Sequence, residues 1–323
     1  MKKLILILSL INSVAWASEK PNQAIVSKMS CELTSNTVSL VYKNSRGDFL
    51  SCDQVKSFSE TIDRVAAISP VAPAINLFIE REHSNASFDM GLIIRVPLRL
   101  TFSGPWGQVY YGQFISSHSV MAHEYGHAIF SKMLEEQEFF KEMKEESVSF
   151  SQKDLELMAA LNSGVDQKEV ELIKAQREVI LKSRTSNKEH ARIRRILGGY
   201  DELFADVVAV YAADNKRTMV NALFFNEISD QAFELVMARD FSGEERSFSN
   251  ALLSEEHATF AQTRSFIGNN LWPSNDDEKK KFLSIVFDSI LENVIERIKS
   301  PVDEELSARE LNENLIDSIK QRI

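Results

Sequence analysis

The pattern of apolar and polar positions divides the chain into a β-rich first part and a long helical remainder. The segments "INLFIE" (75–80) and "GLIIRVPLRLTF" (91–102) are dense in Ile, Leu, Val and Phe, which favours strands. Pro97 lacks an amide hydrogen, so the second strand is predicted at a sheet edge. Such an edge is either an ordinary one or a surface for pairing with an extended peptide. The Gly- and aromatic-rich segment 103–112 is predicted to be a loop.

From Ser117 onward the spacing of apolar residues is helical almost to the end of the chain. Three long helical patterns stand out, over 154–184 with a break near Ser163, over 200–214 after a pair of glycines, and over 280–298. A weaker amphipathic pattern continues to the end of the chain. The fold class predicted from these patterns is α+β and predominantly helical.

The first 17 residues have the pattern of a signal peptide. Lys2 and Lys3 precede an apolar run over 4–16, which is too short to span a bilayer comfortably. Ala15-Trp16-Ala17 then matches the small-x-small pattern of a cleavage site, so cleavage is predicted after Ala17. The alternative is an uncleaved membrane anchor. With cleavage, the mature chain is expected to be exported, periplasmic or secreted, without stable membrane insertion.

The chain has two cysteines, Cys31 and Cys52. In an oxidising compartment such a pair predicts a disulfide, which would add roughly 3 kcal/mol by restricting the unfolded chain. Two buried free thiols are the alternative. The pair would fasten a small N-terminal region, 18–75.

Composition narrows the classes of function. The chain of 323 residues is 44% hydrophobic and carries a formal net charge of −10, which suits a globular protein with a sizeable core. No stripe of Lys and Arg is present that could follow a phosphate backbone, so no nucleic-acid partner is expected.

The segment "VMAHEYGHAIF" (120–130) holds three proton-exchanging side chains in otherwise apolar surroundings. His123 and His127 lie four residues apart, so on a helix both point at one ion, and Glu124 sits about 100° round beside it. This is the H-E-x-x-H pattern of zinc sites, which needs neutral histidines and an ionised glutamate. The alternative is a pair of surface histidines on a solvated helix. The remaining histidines away from this region fit no ligand spacing and are predicted to be surface or capping residues (His83, His118, His190).

A third ligand is expected from the apolar segment "DELFADVVAV" (201–210). Glu202 and Asp206 are four apart and share a helical face among apolar residues, where buried acids need partners. Glu202 is assigned as a zinc ligand, and Asp206 as the acceptor of the second ring N–H of a zinc-bound histidine. Ala205 is small enough to allow close approach of the two helices. The alternative is that both acids lie on the surface at a helix start.

Together, "HEYGH" and "ELFAD" resemble the motifs of the gluzincin metallopeptidases, H-E-x-x-H followed by E-x-x-x-D. The E-x-x-A-D form is similar to that of several bacterial membrane and stress peptidases. The resemblance covers two helices only, and Glu202 follows His127 by 75 positions. It implies a zincin-like catalytic domain over 76–275, with a charged helical insertion at 131–199 and C-terminal helices at 276–323.

The resemblance further implies hydrolysis of peptide bonds in a peptide or protein substrate, with one catalytic zinc ion and Glu124 as general base. A donor is also needed for the oxyanion. The candidates are His257, Arg264 and Tyr200. For the first two, a surface histidine and an ion-paired arginine on a helix are equally compatible with the sequence.

Two other functions remain open at this point. One is an exported, non-catalytic zinc-binding or scaffold protein, although a mere zinc holder has no need of Glu124. The other keeps the zinc hydrolase chemistry and directs it at cell-wall peptide cross-links. The acidic net charge makes an anionic wall polymer the less favourable partner.

Overall fold

The computed structural model of the protein describes eight stretches of the chain, which are 26–32, 35–44, 50–103, 108–163, 165–224, 230–243, 247–300 and 306–323. The predicted signal peptide lies outside these described residues.

A mixed sheet forms the first part of the described chain. Its strands are arranged in the order β1-β2-β3-β5-β4, and β6 pairs with the far end of β5. β3 is parallel to both β2 and β5, while β1, β4 and β6 are antiparallel to their partners. The strands are β1 (Val26–Lys28), β2 (Val38–Asn44), β3 (Ile75–His83), β4 (Ser87–Phe88), β5 (Ile93–Ser103) and β6 (Val109–Tyr111).

Both strands predicted from the sequence are present as β3 and β5, but the prediction that the second is an edge strand is wrong. β3 covers one side of β5, and on the other side β4 pairs at Ile94 and Arg95 while β6 pairs from Thr101 to Ser103. Pro97 falls between these two short partners, where neither of them needs its missing amide hydrogen. The sheet order instead ends at β4. β6 also lies within the segment predicted to be a loop.

Helices make up most of the remaining described chain. They are α1 (Cys52–Ala67), α2 (Phe114–Leu134), α3 (Glu138–Ser163), α4 (Gln167–Ser186), α5 (Lys188–Ala212), α6 (Thr218–Leu223), α7 (Asp230–Met237), α8 (Asn250–Leu253), α9 (Ala261–Asn270), α10 (Asp276–Lys299) and α11 (Ala308–Lys320). The α+β, predominantly helical class is therefore confirmed. Among these helices, none has the length and apolar character that crossing a membrane requires.

The predicted break near Ser163 is confirmed, since α3 ends there. The glycine pair before residue 200 does not precede a helix, because Gly198 and Gly199 lie inside α5. Glu256 and Phe260 pack against these two positions, where any larger side chain would meet them. The glycines therefore serve packing rather than a helix start.

The predicted disulfide is confirmed, since Cys31 and Cys52 are bonded to each other. The bond joins the segment between β1 and β2 to the first residue of α1. Ser51 caps this helix through a reciprocal pair of hydrogen bonds with Gln54. The bond thus holds the start of a helix whose apolar face packs in the core.

The largest cluster of buried hydrophobic residues extends from Val38 to Ile319. It includes residues from the sheet, from α2 and α5, and from the C-terminal helices α10 and α11. The predicted boundaries at 75 and 275 therefore do not separate independent cores. Most of the predicted insertion forms the α3–α4 hairpin, which has a small apolar cluster of its own (Ala160, Val170, Ile173).

Helices α2 and α5, which are buried along much of their length, cross at a point where almost no side-chain volume separates them. A Cβ atom on Gly126 would lie 2.6 Å from the Cα atom of Ala205 and 3.1 Å from its Cβ atom. Ala205 itself is completely buried. The backbones of the two helices can touch because one residue has no side chain and the other has a methyl group.

Gly126→Ala tests this contact. Alanine favours a helix interior over glycine by about 1 kcal/mol, yet we expect the free energy of unfolding to fall by roughly 1–3 kcal/mol because the added methyl group forces the helices apart. Urea denaturation measures this loss. Ala205→Gly is the control, since it adds no atoms at the crossing and should cost about 1 kcal/mol through its lower helix propensity. A Gly126→Ala variant at least as stable as the wild type would contradict close contact of the helices at this residue.

Two histidines predicted to be surface or capping residues, His118 and His190, are buried. The ring of His118 stacks on Phe58 with 4.5 Å between centroids, and its Nδ1 atom lies 2.9 Å from Thr61 Oγ1. Burial, reinforced by the charge of Arg64, lowers the pKa of His118 to about 4. The imidazole is therefore part of the core in its neutral form.

This histidine should make the fold sensitive to acid. The unfolded chain binds its proton more tightly than the folded one, so stability is lost as the pH falls from about 6.5 towards 4. The loss attributable to His118 should approach roughly 3 kcal/mol. We expect His118→Gln to remove that component when urea denaturation is compared at pH 7 and pH 4.5. His83→Gln, at a less buried histidine, should retain the wild-type difference, and an identical acid loss in both variants would refute the assignment.

Candidate metal centre

Two helices bring three potential metal ligands together. α2 presents His123 and His127 one turn apart, and α5 presents Glu202 opposite them. The Nε2 atoms of the two histidines are 3.0 Å apart. The carboxylate of Glu202 approaches to 3.3 Å from Nε2 of His123 and 3.7 Å from Nε2 of His127. One ligand atom from each residue lies within 4.8 Å of the other two, so these three side chains could hold one ion.

The state of Glu202 supports a cation at this point. Its Oε2 atom is buried and makes no hydrogen bond, although His123 Nε2 lies 3.3 Å away and His257 Nε2 lies 3.4 Å away. A buried carboxylate oxygen without a partner is costly, and a metal bond would satisfy it. Two imidazole nitrogens and one carboxylate oxygen are also a ligand set of catalytic zinc sites, which leave the fourth position open.

Each histidine has a carboxylate at its other ring nitrogen. Asp206 Oδ1 lies 3.0 Å from Nδ1 of His123, and Asp201 Oδ1 lies 2.7 Å from Nδ1 of His127. An Nδ1–H donated to a carboxylate leaves Nε2 free to bind a metal and fixes the ring orientation. Asp201 was missed as a functional residue by the sequence analysis. Its only signal was its place beside Glu202, about 100° round the helix.

Asp206 is completely buried and lies between two arginines. Arg239 Nη2 is 2.5 Å from Asp206 Oδ1, and Arg264 Nη2 is 2.8 Å from Oδ2. Although burial opposes ionisation, these guanidinium groups and His123 hold the pKa of Asp206 far below its usual range. Asp206 thus stays charged and ties α5 to Arg239 after α7 and to α9.

Arg239 is the second functional residue that the sequence analysis missed. It is buried, and its Nη2 atom lies 3.2 Å from Nδ1 of His123 and 3.9 Å from Glu202 Oε2. No spacing rule connects position 239 to either motif. The one available signal was indirect, because an acid as deeply buried as Asp206 requires a cation from somewhere in the chain.

The surroundings of His127 favour positive charge. Burial alone would lower its pKa, but the carboxylates of Asp201 and Glu202 outweigh burial and raise the pKa to about 10. Burial would likewise raise the pKa of Glu202, yet His257, His127 and His123 hold it well below the ordinary value. The same negative field that favours a proton on His127 favours a divalent cation between these groups.

Glu124 lies beside the three ligands and is buried. Burial raises the pKa of its carboxyl, while the charges of His127 and His123 oppose that increase. A carboxylate in this setting is a stronger base than one in water. The helix that carries Glu124, α2, also packs against β4, the last strand of the sheet order.

Of the three predicted oxyanion donors, the structure brings His257 to the site. It lies between α8 and α9, with Nε2 at 3.4 Å from Glu202 Oε2 and Nδ1 at 3.1 Å from Glu255 Oε2. Burial opposes protonation, but Glu202 and Glu255 outweigh it and raise the pKa of His257. Its side chain is 23% exposed, more than those of His123 and His127.

The other two predicted donors lie elsewhere. Arg264 is completely buried and is bound to Asp206 behind His123, so it cannot reach a substrate. Tyr200 precedes Glu202 by two residues, so its side chain is rotated by about 200° from that of Glu202 around the axis of α5. Its ring packs on Phe260 at 4.5 Å, with the guanidinium group of Arg297 at 5.9 Å from the ring centre. Both predictions of a direct catalytic role are therefore replaced by structural roles.

No protein-family model matches the chain, and neither the curated proteins nor the solved structures contain a match to it.

Two carboxylate variants should separate the tasks of Asp206 and Asp201. Asp206→Asn leaves two buried arginines without their anion, so we expect a loss of roughly 3–5 kcal/mol in stability and of roughly 10–100-fold in zinc affinity. Asp201→Asn removes a carboxylate that is one-quarter exposed and has no buried arginine in contact. It should weaken zinc binding with a much smaller loss of stability. Urea denaturation and chelator competition measure both quantities, and equal stability losses would contradict this division.

Proposed function

We propose that this protein is an exported zinc metallopeptidase with a zincin-like catalytic core. The observation that carries the proposal is the convergence of His123, His127 and Glu202 next to the buried carboxylate of Glu124. Three protein ligands provide for one metal and leave a position for water or substrate. A base beside that position is what a hydrolase needs and a structural zinc site does not.

The three ligands fit zinc in number, type and mutual distance. A zinc ion bound there supplies Lewis acidity, which makes water a better nucleophile and polarises the scissile carbonyl. Asp201 and Asp206 hold the two imidazole rings in the orientation that this binding requires.

Glu124 acts as the general base and takes a proton from the attacking water. Burial of its carboxylate makes it a better proton acceptor than a solvated glutamate. The same residue then delivers the proton to the leaving amine. His257 stabilises the negative charge that develops on the carbonyl oxygen, because its raised pKa favours the protonated, hydrogen-bond-donating form.

An extended polypeptide is the substrate that the surroundings favour. β4 is the last strand in the order of the described sheet, and it packs against α2, the helix that carries Glu124. A peptide added antiparallel or parallel to this strand would pass the base with its backbone held by main-chain hydrogen bonds. The peptide-pairing edge is therefore proposed at β4, because β5, for which the sequence analysis considered this role, is paired on both sides.

Export is supported by two separate features. The Cys31–Cys52 disulfide belongs to an oxidising compartment. The N-terminal sequence, outside the described residues, has a basic start, a short apolar run and a small-x-small pattern.

The decisive variant is Glu124→Gln, which keeps the shape of the side chain and removes the base. We expect cleavage of a mixed pool of unfolded peptides by residues 18–323 to fall at least 1,000-fold, with zinc content unchanged at one ion per chain. Glu156→Gln is the charge-matched control, since Glu156 is an exposed residue of α3 paired with Lys153. It should cleave like the wild type.

The same experiment distinguishes the alternative functions. A wild-type protein that binds one zinc ion but cleaves neither unfolded peptides nor cross-linked cell-wall peptides is the outcome expected of a zinc-binding scaffold. Cleavage of wall peptides alone would redirect the proposal to that substrate. Equal activity in wild type and Glu124→Gln would exclude Glu124 as the base.

A further inference from the structure

Glu256 lies against the backbone of α5, one helical turn before the potential ligand Glu202. A Cβ atom on Gly198 would be 2.5 Å from Oε1 and 3.0 Å from Oε2 of Glu256, so this carboxylate occupies the space that a side chain at position 198 would fill. Gly198 and Glu202 are four residues apart and share one face of the helix. Because helical side chains lean towards the N-terminus, the carboxylate of Glu202 leans over the turn that carries Gly198.

The residues beside Glu256 in the chain also belong to the site. His257, the next residue, has its Nε2 atom 3.4 Å from Oε2 of Glu202. Glu255, the preceding residue, has its Oε2 atom 3.1 Å from the other ring nitrogen of His257. Glu256 is therefore connected to the candidate metal centre twice, through its contact with Gly198 and through its neighbour His257.

Glu256 differs from the two other solvent-accessible acids of this region, Asp201 and Glu255, because it has no partner. Asp201 and Glu255 each face an imidazole Nδ1 atom, at 2.7 Å and 3.1 Å. Glu256 is exposed, and it makes no hydrogen bond or ion pair with any residue that the structure describes. Burial against α5 raises the pKa of Glu256, and the negative charge of Glu202 adds to this increase, as expected for a carboxylate without a cation beside it.

The contact between Glu256 and Gly198 is not explained by stability. Glycine is less favourable than alanine inside a helix, and Gly198 lies well within α5. The space that it leaves holds a carboxylate without a bonded partner, where an apolar side chain would pack at no such cost. A positively charged group of a bound substrate would give this carboxylate its partner.

The charge of the site favours such a group. Six carboxylates and two guanidinium groups come together there among the described residues (Glu124, Asp201, Glu202, Asp206, Glu255, Glu256; Arg239, Arg264). Even with a divalent ion and a protonated His257, one negative charge remains. A site with this balance attracts a cationic group and repels an anionic one.

We propose that Glu256 is a specificity residue, which binds a positively charged group of the peptide substrate on the Gly198 side of the zinc ligands. This inference rests on the proposed peptidase function and names the class of substrate that the site prefers. The charged group is the side chain of a lysine or arginine near the scissile bond, or the α-ammonium group of the substrate. All of these donate charged N–H groups to a carboxylate, so they share one chemistry.

Binding of intact peptides tests the proposal apart from catalysis. The protein is the zinc-loaded mature chain, residues 18–323, with Glu124→Gln. The probes are N-acetylated, C-amidated peptides with one lysine at successive positions, the same peptides with norleucine in place of lysine, and a norleucine peptide with a free amino terminus. We expect one class of charged peptide to bind about 10-fold more tightly than its neutral counterpart. The class that does so identifies the side chain or the α-ammonium group as the source of the charge.

Two further substitutions in the same protein assign the preference to Glu256. Glu256→Gln should abolish it, while Glu156→Gln, at the exposed acid of α3, should retain it. Gly198→Ala should also abolish it, because the added methyl group displaces the carboxylate of Glu256 from α5. Combined with Glu256→Gln, Gly198→Ala should then cause no additional loss of affinity for the charged peptide.

Kinetics of the chain that retains Glu124 provide the second readout. In Glu256→Gln we expect KM for the preferred charged peptide to rise about 10-fold with kcat within about 2-fold of the wild type, because the lost contact holds substrate and transition state alike. The neutral peptide should be cleaved as before. Equal losses for charged and neutral peptides, or equal binding of both by the chain with Glu256 intact, would overturn the proposal. If no peptide is cleaved, the proposed function fails, while the binding experiment still decides whether Glu256 recognises a cationic group.

Discussion

The contact between Gly126 and Ala205 is the constraint on which the rest of the site depends. α2 and α5 each carry only part of the ligand set, so His123, His127 and Glu202 converge only if the two backbones nearly touch. A methyl group on Gly126, or a side chain larger than a methyl group at position 205, would separate the helices, and the carboxylate of α5 would withdraw from the imidazoles of α2. Close helix packing in this protein is therefore a requirement of the chemistry as well as of stability.

Close packing also concentrates acidic side chains in a buried region, and their charges are compensated in different ways. Asp206 has two guanidinium groups, from Arg239 and Arg264, so its charge is compensated by the protein alone. Glu202 has imidazoles at 3.3–3.7 Å and the Arg239 guanidinium no nearer than 3.9 Å, and its buried Oε2 atom makes no hydrogen bond. Of these two acids, four residues apart on one helix, the first is fixed by ion pairs and the second keeps an oxygen atom that a metal ion could bind. This difference, rather than the number of acids, argues for a cation at Glu202.

The parts of the site that could be predicted from the sequence are those whose partners lie on one helix. His123 and His127 share α2, and Glu202 and Asp206 share α5, so residue spacing alone indicates a common face. Arg239 could not be predicted, because it reaches Asp206 from a distant part of the chain and no period connects them. The edge position of β4 could not be predicted either, because a two-residue strand that pairs with Ile94 and Arg95 has no hydrophobic pattern of its own. The burial of His118 was not predicted, because the residues around it in the sequence do not indicate that aromatic rings pack against it.

In the sequence, the α3–α4 hairpin lies between α2 and α5, the two helices that carry the potential metal ligands. An apolar face would attach the hairpin to the sheet but would permit it to slide, since hydrophobic contacts are not directional. The bonds from Ser151 to Asp89 and from Lys144 to Met90 and Ser131 have one register. That register fixes the β4–β5 turn relative to α2, the helix that carries His123, Glu124 and His127.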